Sequence, residues 1–441
     1  MFQTLKKAWG VPEIRKKLLY TLLMIVIFRL GSAITVPFLD SEVVKDWMDG
    51  SATDGNFLEY LNILTGGALS QATIFSLSIT PFINASIIMQ LLTFALPPLE
   101  RLRDEGEEGR KKINKITAFV ALVLAFFMAY AYYLTLRRSA HAVKYTEGTE
   151  GFFAGAVIIL SFVAGASFVV WMGNRVSDNG IGNGVSIILF AGIAARFPTD
   201  AGLLVRLSKE SIENGNDNGK YLWVSLAYLV FIIFEIGVIV FMNEAERRIP
   251  IQYAKRVVGR KQYGGQKTHI PIKVCMSGVM PIIFAMSFMA LPQTIQLFKP
   301  DEKTSGFYHA FCQFFKRTSW SYATLYFLLI IAFNFFYVSI QYNPVEIANN
   351  LRQSNGAIPG IRPGKPTSDY IQRVLNKISL VGAFFLGIVA IIPIFIAMAD
   401  EKLQSLSMGG TTILIAVSVA LETTRTLESH LMMRHHKGFL Q

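Results

Sequence analysis

The chain has 441 residues, 52% hydrophobic and 16% charged, with a formal net charge of +12. That balance excludes an ordinary water-soluble domain, which carries more charge, and recurring apolar runs of about 20 residues mark a polytopic helical membrane protein. No series of short alternating segments suggests a membrane β-barrel.

The apolar runs predict ten spans, at roughly 18–36, 73–96, 115–136, 151–172, 181–197, 221–242, 271–292, 319–342, 373–396 and 404–429. The N-terminal MFQTLKKAWGVPEIRKK leads into the first of them. This run carries Arg29 and offers no convincing small-x-small cleavage site, so it reads as a retained helix rather than a signal peptide. Residues 57–72, FLEYLNILTGGALSQA, are moderately apolar and interrupted by Gly66 and Gly67. Two readings stay open for them: a segment folded back into a cavity, or an external loop with an amphipathic turn.

The second span contains FSLSITPFINASIIMQLLTF, residues 75–94. Ile79, Ile83 and Ile87 share one helix face. Pro81 is expected to remove a backbone bond and bend the first turn. Asn84 and Ser86 point elsewhere and suit bonds between helices. On periodicity alone the isoleucine face meets lipid or another helix, although an apolar constriction also seals pores by dewetting.

The fifth span opens with GIGNGVSII (180–188) and the tenth with SMGGTTILI (407–415), a faint internal echo. With the acidic stretch 198–220 between them, the spans divide into five and five, and an odd number per half inverts the second half. Loops on the N-terminal side hold roughly 23 basic against 11 acidic residues, the opposite loops roughly 12 against 16, which places both termini in the cytosol.

Two cytosolic loops exceed what connection needs, a docking-surface signal. Residues 243–270 contain IPIQYAKRV, alternating like a strand, and predict a projecting hairpin. Residues 343–372 are rich in Pro and Gly and predict a shaped loop rather than a helix.

Catalytic and cofactor motifs are absent from the sequence. PGKPT (363–367) lacks the glycine spacing of a phosphate loop. Six histidines are scattered, and Cys275 and Cys312 have no metal spacing and read as free thiols. Arg29, Glu235, Lys273, Glu422 and Arg425 are the main ionisable residues of the spans, most of them expected to snorkel from helix ends. An ion-coupled transporter and a membrane scaffold remain alternative function classes at this point.

The string LTGGALSQATIFSLSITPFINASIIMQLLT resembles the second-helix region of the SecY family, the central channel subunits of bacterial protein translocation. So do EGEEGRKKINKIT, NGIGNGVSIILFAGI, RRIPIQYAKR, THIPIKVCMSGVMPIIFA and NNLRQSNGAIPGIRPGKPT resemble later stretches, in the family's order over most of the chain. The resemblance implies an all-α clamshell of two inverted five-helix halves, residues 18–197 and 221–429, around an hourglass channel. Between them would lie a hinge loop at 198–220, with cytosolic ends at 1–17 and 430–441.

It further implies an apolar pore ring of Ile79, Ile83, Val185, Leu189, Ile283 and Ile415. A plug would be a short helix in about 57–70, including Leu64, Thr65, Gly66, Gly67, Ala68 and Leu69. A lateral gate would set Asn84, Ile87, Ile88, Gln90 and Leu91 against Met280, Pro281, Phe284 and Ser287. Arg247, Arg248, Lys255, Arg256, Arg260 and Arg362 would meet the SecA ATPase or the ribosome. The remaining implied partners are the small subunits SecE and SecG, signal peptides, nascent chains and lipids of the bacterial cytoplasmic membrane. Neither cofactor, metal nor enzymatic activity is implied.

Overall fold

Long apolar runs satisfy their backbone internally as helices, and the computed structural model is built mostly of them. It describes residues 6, 8–51, 62, 65–138, 140–145, 148–213, 220–253, 256–258, 261–263, 267–298, 307–316, 319–399 and 409–437. In chain order the elements are α1 (Pro12–Gly31), α2 (Ser41–Ser51), α3 (Thr80–Ala95), α4 (Pro97–Asp104), α5 (Glu107–Arg138), α6 (Gly148–Asn179), α7 (Gly184–Glu213) and α8 (Lys220–Glu244). Strands β1 (Glu246–Tyr253), β2 (Arg256–Val258), β3 (Lys261–Tyr263) and β4 (Lys267–Lys273) follow. The chain continues through α9 (Met280–Phe298), α10 (Phe307–Phe314), α11 (Trp320–Gln341), α12 (Pro344–Gln353), β5 (Gly356–Ala357), α13 (Lys365–Ala399) and α14 (Gly409–Lys437).

Among the described residues, five runs are long and apolar enough to cross a membrane: Glu107–Arg138, Gly148–Asn179, Ser225–Glu244, Trp320–Gln353 and Lys365–Ile396. A sixth is added if α3 and α4, bent by 99° at Leu96, count as one span. Helices also occupy the other expected positions, with shorter apolar portions in α7 and α9.

Packing follows two groups. Helix α5 lies against α3 and α6, α7 lies against α6, and α1 touches both α6 and α7. In the later part of the chain α11 packs between α9 and α13, while α14 lies against α8 and α13. Contacts between the groups run from α7 to α8 and α14, and from α9 to α3 and α5.

Two predicted spans start later than hydropathy suggests. Helix α3 begins at Thr80 rather than near residue 73, because residues 65–79 form consecutive turns. Pro81 falls in the first turn of α3, where no intrahelical N–H is required, so it starts the helix instead of bending it. The seventh predicted span likewise becomes helical only at Met280, and Lys273 ends strand β4 rather than sitting in a span.

The hairpin predicted in 243–270 is present: β1 pairs antiparallel with β4 from Glu246↔Lys273 to Gln252↔Lys267. Ile249 and Ile251 point inward and are 2% and 3% exposed, while their neighbours face out. The expectation of a non-helical 343–372 fails. Asn343 caps α12 by accepting the Val345 and Glu346 N–H groups, and Pro344 takes the first position, so the Pro-rich stretch starts a helix. After it, β5 adds to β1, making a sheet of order β4-β1-β5 that joins the two long loops into one platform. Ile249, Ile251, Ile272, Leu351, Ile358 and Leu375 form its small core.

Glu235 departs from the snorkelling expectation. It is 6% exposed in α8, and its Oε2 has no hydrogen-bond partner among the described residues. Arg425 behaves differently: it donates from α14 to the Asn243 carbonyl at the end of α8, 2.8 Å away, where a cation suits the helix terminus.

Candidate functional site

The turns of residues 65–79 sit deep in the molecule. Thr65, Ala72, Thr73 and Ile79 have no exposed surface, and Ala68, Leu69 and Ser76 are 1% exposed. Buried backbone outside a helix needs local partners, and the small polar residues here supply them. Ser76 Oγ donates to Thr73 O at 2.6 Å and Thr73 Oγ1 to Ala68 O at 3.2 Å. Ser70 N–H donates to Asn62 Oδ1 at 2.9 Å, and the Tyr132 hydroxyl of α5 donates to Leu69 O at 2.8 Å. Two strand-like bonds tie the segment to the chain after α1: Val36 N–H to Ala72 O and Ile74 N–H to Ile34 O, each 3.0 Å.

The two glycines of the segment differ. Both have positive φ, +69° at Gly66 and +87° at Gly67. A Cβ on Gly66 would lie 2.6 Å from the Gly192 carbonyl of α7, whereas one on Gly67 would meet nothing within 4 Å. Gly66 therefore seats the turn against the α7 backbone. Leu64 lies outside the described residues, and Thr65 to Leu69 are turns rather than the expected helix.

The chain enters α3 and α9 by one shared backbone device. Ser78 and Gly278 both have positive φ, 46° and 59°, and each N–H reaches back three residues, to Phe75 O and Cys275 O. Ile79 and Val279 then each accept from the N–H groups three and four residues on, and Pro81 and Pro281 fall at the same offset. A glycine on a neighbouring helix makes room for a carbonyl in both cases: Gly165 of α6 for Ile74 O, and Gly382 of α13 for Val274 O. The pair ITPFI and VMPII carried that signal in the sequence, and sequence reasoning missed it.

Four of the six expected ring residues come together. Ile79 and Leu189 are buried in one apolar cluster, with Ile83 and Val185 packed against it. Ile79 Cδ1 and Val185 Cγ2 both reach the surface of Gly173, at 3.6 and 3.5 Å from where its Cβ would be. Ile415 is buried in a second cluster, with Ile283 packed against it. The clusters meet on α7, where Leu189 belongs to the first and Phe190 and Ile193 to the second.

Helices α3 and α9, which carry the expected gate residues, touch. Ile87 and Asn84 are buried, Ile88 and Leu91 half-buried and Gln90 exposed. On α9, Pro281 and Phe284 are buried, and Met280 and Ser287 half-buried. Phe284 turns its ring to α11, edge-on to Phe333 at 5.9 Å and Tyr337 at 6.1 Å. Asn84 does not make the interhelical bond expected of its side-chain oxygen: the buried Oδ1 has no hydrogen-bond partner among the described residues. Two seam contacts were not foreseen. Ala290 of α9 is buried with Ala125, Ala129 and Tyr132 of α5, and Phe94 at the end of α3 meets Phe336 of α11 edge-on at 5.6 Å.

On this sheet platform Arg247 and Arg248 are exposed on β1, and Arg248 Nε pairs with Glu246 at 2.6 Å. Arg362 is exposed in the turn before α13, where its carbonyl accepts from Thr367. Arg256 lies on β2 opposite Tyr263, and Lys255 and Arg260 lie outside the described residues.

Known proteins share both the sequence and this architecture. Residues 73–424 match the SecY family model. The protein translocase subunit SecY of Streptomyces coelicolor is 38% identical over 449 residues, covering all of both chains. That of Thermotoga maritima is 37% identical over 445 residues, covering 100% of this chain and 98% of its own. Among solved structures, a protein-conducting channel aligns with TM-score 0.63 at 18% identity, and the channel of a canine ribosome complex from the endoplasmic reticulum with TM-score 0.62 at 17%. Each alignment covers 96% of both chains. Full-length identity well above the level at which only fold is shared, together with the matched family model, shows that this chain belongs to the SecY family.

Proposed function

We propose that the chain is a protein-conducting channel: unfolded polypeptides cross the membrane between its two helix groups, and apolar segments leave sideways between α3 and α9. The observation that carries this reading is the non-helical segment 65–79, buried in the molecule, seated by Gly66 on α7 and continuous with the apolar side chains of α3 and α7. Irregular backbone at membrane depth belongs inside protein or beside a water-filled path. A plug at the mouth of a channel satisfies both conditions.

Ten spans in two inverted halves complete the reading, supported by the matching starts of α3 and α9. Ile79, Ile83, Val185, Leu189, Ile283 and Ile415 form the waist. A pore that passes any sequence needs a seal without charge, and branched apolar side chains close on a chain by van der Waals contact and dewet when it leaves. The energy comes from the SecA ATPase or a translating ribosome docked on the β1–β4 platform and Arg362. SecE and SecG brace the helices in the bacterial cytoplasmic membrane, with both termini cytosolic.

Single-channel recording in planar bilayers tests the reading. Deletion of residues 57–70 is expected to turn a silent channel into one with flickering ion currents. Silence from a folded, inserted deletion variant would overturn the plug assignment or the pore beneath it.

A further inference from the structure

A cavity of about 420 Å³ lies away from the channel residues, between the loop after α1 and the start of α6. Phe38, Tyr145, Thr149, Glu150, Phe153 and Ala154 line it. Phe38 stands edge-to-face with two of these rings, Tyr145 at 5.9 Å and 73° and Phe153 at 6.3 Å and 70°. Its backbone is held at φ 68°, a conformation costly for a bulky L-residue and a marker of functional positions. Lys144 N–H donates to Phe38 O at 3.1 Å and Asp40 N–H to Ala142 O at 3.0 Å, so the two external segments clamp that conformation. Glu150 is exposed at the mouth and forms no ion pair among the described residues.

We propose that this cavity binds an organic ammonium group, supplied by the amine headgroup of a phospholipid. Three aromatic rings around one space attract a cation through their π faces, and a carboxylate at the rim adds charge complementarity. The same carboxylate disfavours an anionic headgroup. Position favours lipid over a soluble amine: Tyr145, Phe152 and Phe153 flank the first turn of the long apolar helix α6, at the depth where aromatic side chains meet headgroups. Phe152 and Phe153 are 82% and 63% exposed, leaving the approach open.

The test uses the full chain in nanodiscs containing equal phosphatidylethanolamine and phosphatidylglycerol, with retained lipids counted by native mass spectrometry. Wild type is expected to retain the ethanolamine lipid preferentially. Phe153→Leu, which keeps apolar bulk but removes the π face, and Glu150→Gln should each lower that preference about threefold, while Phe153→Trp keeps it. Both sites are exposed, so folding is not at stake. Tetramethylammonium is the free-cation arm. Its displacement of the retained ethanolamine lipid supports the headgroup site. Saturable tetramethylammonium binding lost in Phe153→Leu, without any lipid preference, would overturn the lipid source and assign the cage to a soluble amine. A preference unchanged in Phe153→Leu and Glu150→Gln would overturn the site and leave an ordinary interfacial aromatic belt. Transport plays no part in the readout, so failure here leaves the channel reading untouched.

Discussion

Helices α3 and α9 start alike and lead from different things. In each, a left-handed residue, a helix start and a proline follow at fixed spacing, with a facing glycine admitting the upstream carbonyl. Upstream of α3 lies a buried run of turns held by serine and threonine hydroxyls; upstream of α9 lies strand β4 of the sheet platform. The polar clamps differ too. Tyr132 makes one bond to the turn before α3, whereas Asn334 of α11 accepts from Ser277 Oγ before α9 and also donates to Ser379 O of α13 at 2.9 Å. Sterics thus specify how a helix begins, and the segment before it is free to differ, a buried run of turns ahead of α3 and a sheet strand ahead of α9.

The facing glycines offer the strongest way to break that parallel. Gly165→Val drives a branched side chain into the Ile74 carbonyl, which is backbone and cannot swing aside. It is expected to destabilise by about 3 kcal/mol or more, read as a lowered thermal midpoint in detergent. Gly382→Ala, whose Cβ would lie 2.6 Å from Val274 O, is expected to cost about 1–3 kcal/mol. Equal tolerance of both substitutions would mean that the close approaches are not shared constraints.

Next in size is the seat of the turn. Gly66→Ala sets a methyl 2.6 Å from the Gly192 carbonyl and should raise leak conductance; Gly67→Ala carries only the strain of positive φ, about 1 kcal/mol, and should stay silent. Leak in both would make backbone strain rather than the Gly192 contact the cause. The clamps follow. Asn334→Leu strands two buried partners and is expected to cost about 2 kcal/mol, against about 1 kcal/mol for Tyr132→Phe, both read by chemical or thermal unfolding.

Much of this was legible in the chain. Hydropathy located the helices, alternation found β1, and motif resemblance selected Ile79, Ile83, Val185 and Leu189, which do pack together. What escaped has physical reasons. Hydropathy cannot see where an apolar run stops being helical, so the late starts at Thr80 and Met280 were missed. Pro81 was expected to bend its helix and the Pro-rich 343–372 to stay non-helical, although at a helix start the missing N–H of proline costs nothing. The pairing of β5 with β1 and the burial of Ala290 against α5 are long-range contacts without a local signature. Neither could the positive φ of Phe38 be anticipated, since bulky residues avoid it unless tertiary contacts impose it.

The smallest expected effect concerns Asn84. Its oxygen is buried on α3 without a hydrogen-bond partner among the described residues, at a helix position whose counterpart in α9 is Phe284. An unpaired buried amide oxygen costs free energy, and leucine has nearly the same shape as asparagine. Asn84→Leu is therefore expected to stabilise this arrangement by about 1 kcal/mol, measured as a raised unfolding midpoint. The polar group is useful only if it finds a partner when α3 and α9 separate. In that case the same substitution slows opening, and a cysteine pair placed across the two helices should crosslink faster than in the parent. A raised midpoint with unchanged crosslinking would confine Asn84 to packing. A lowered midpoint would show that the asparagine is already bonded where α3 and α9 touch, and the two helix starts would then differ in one more clamp.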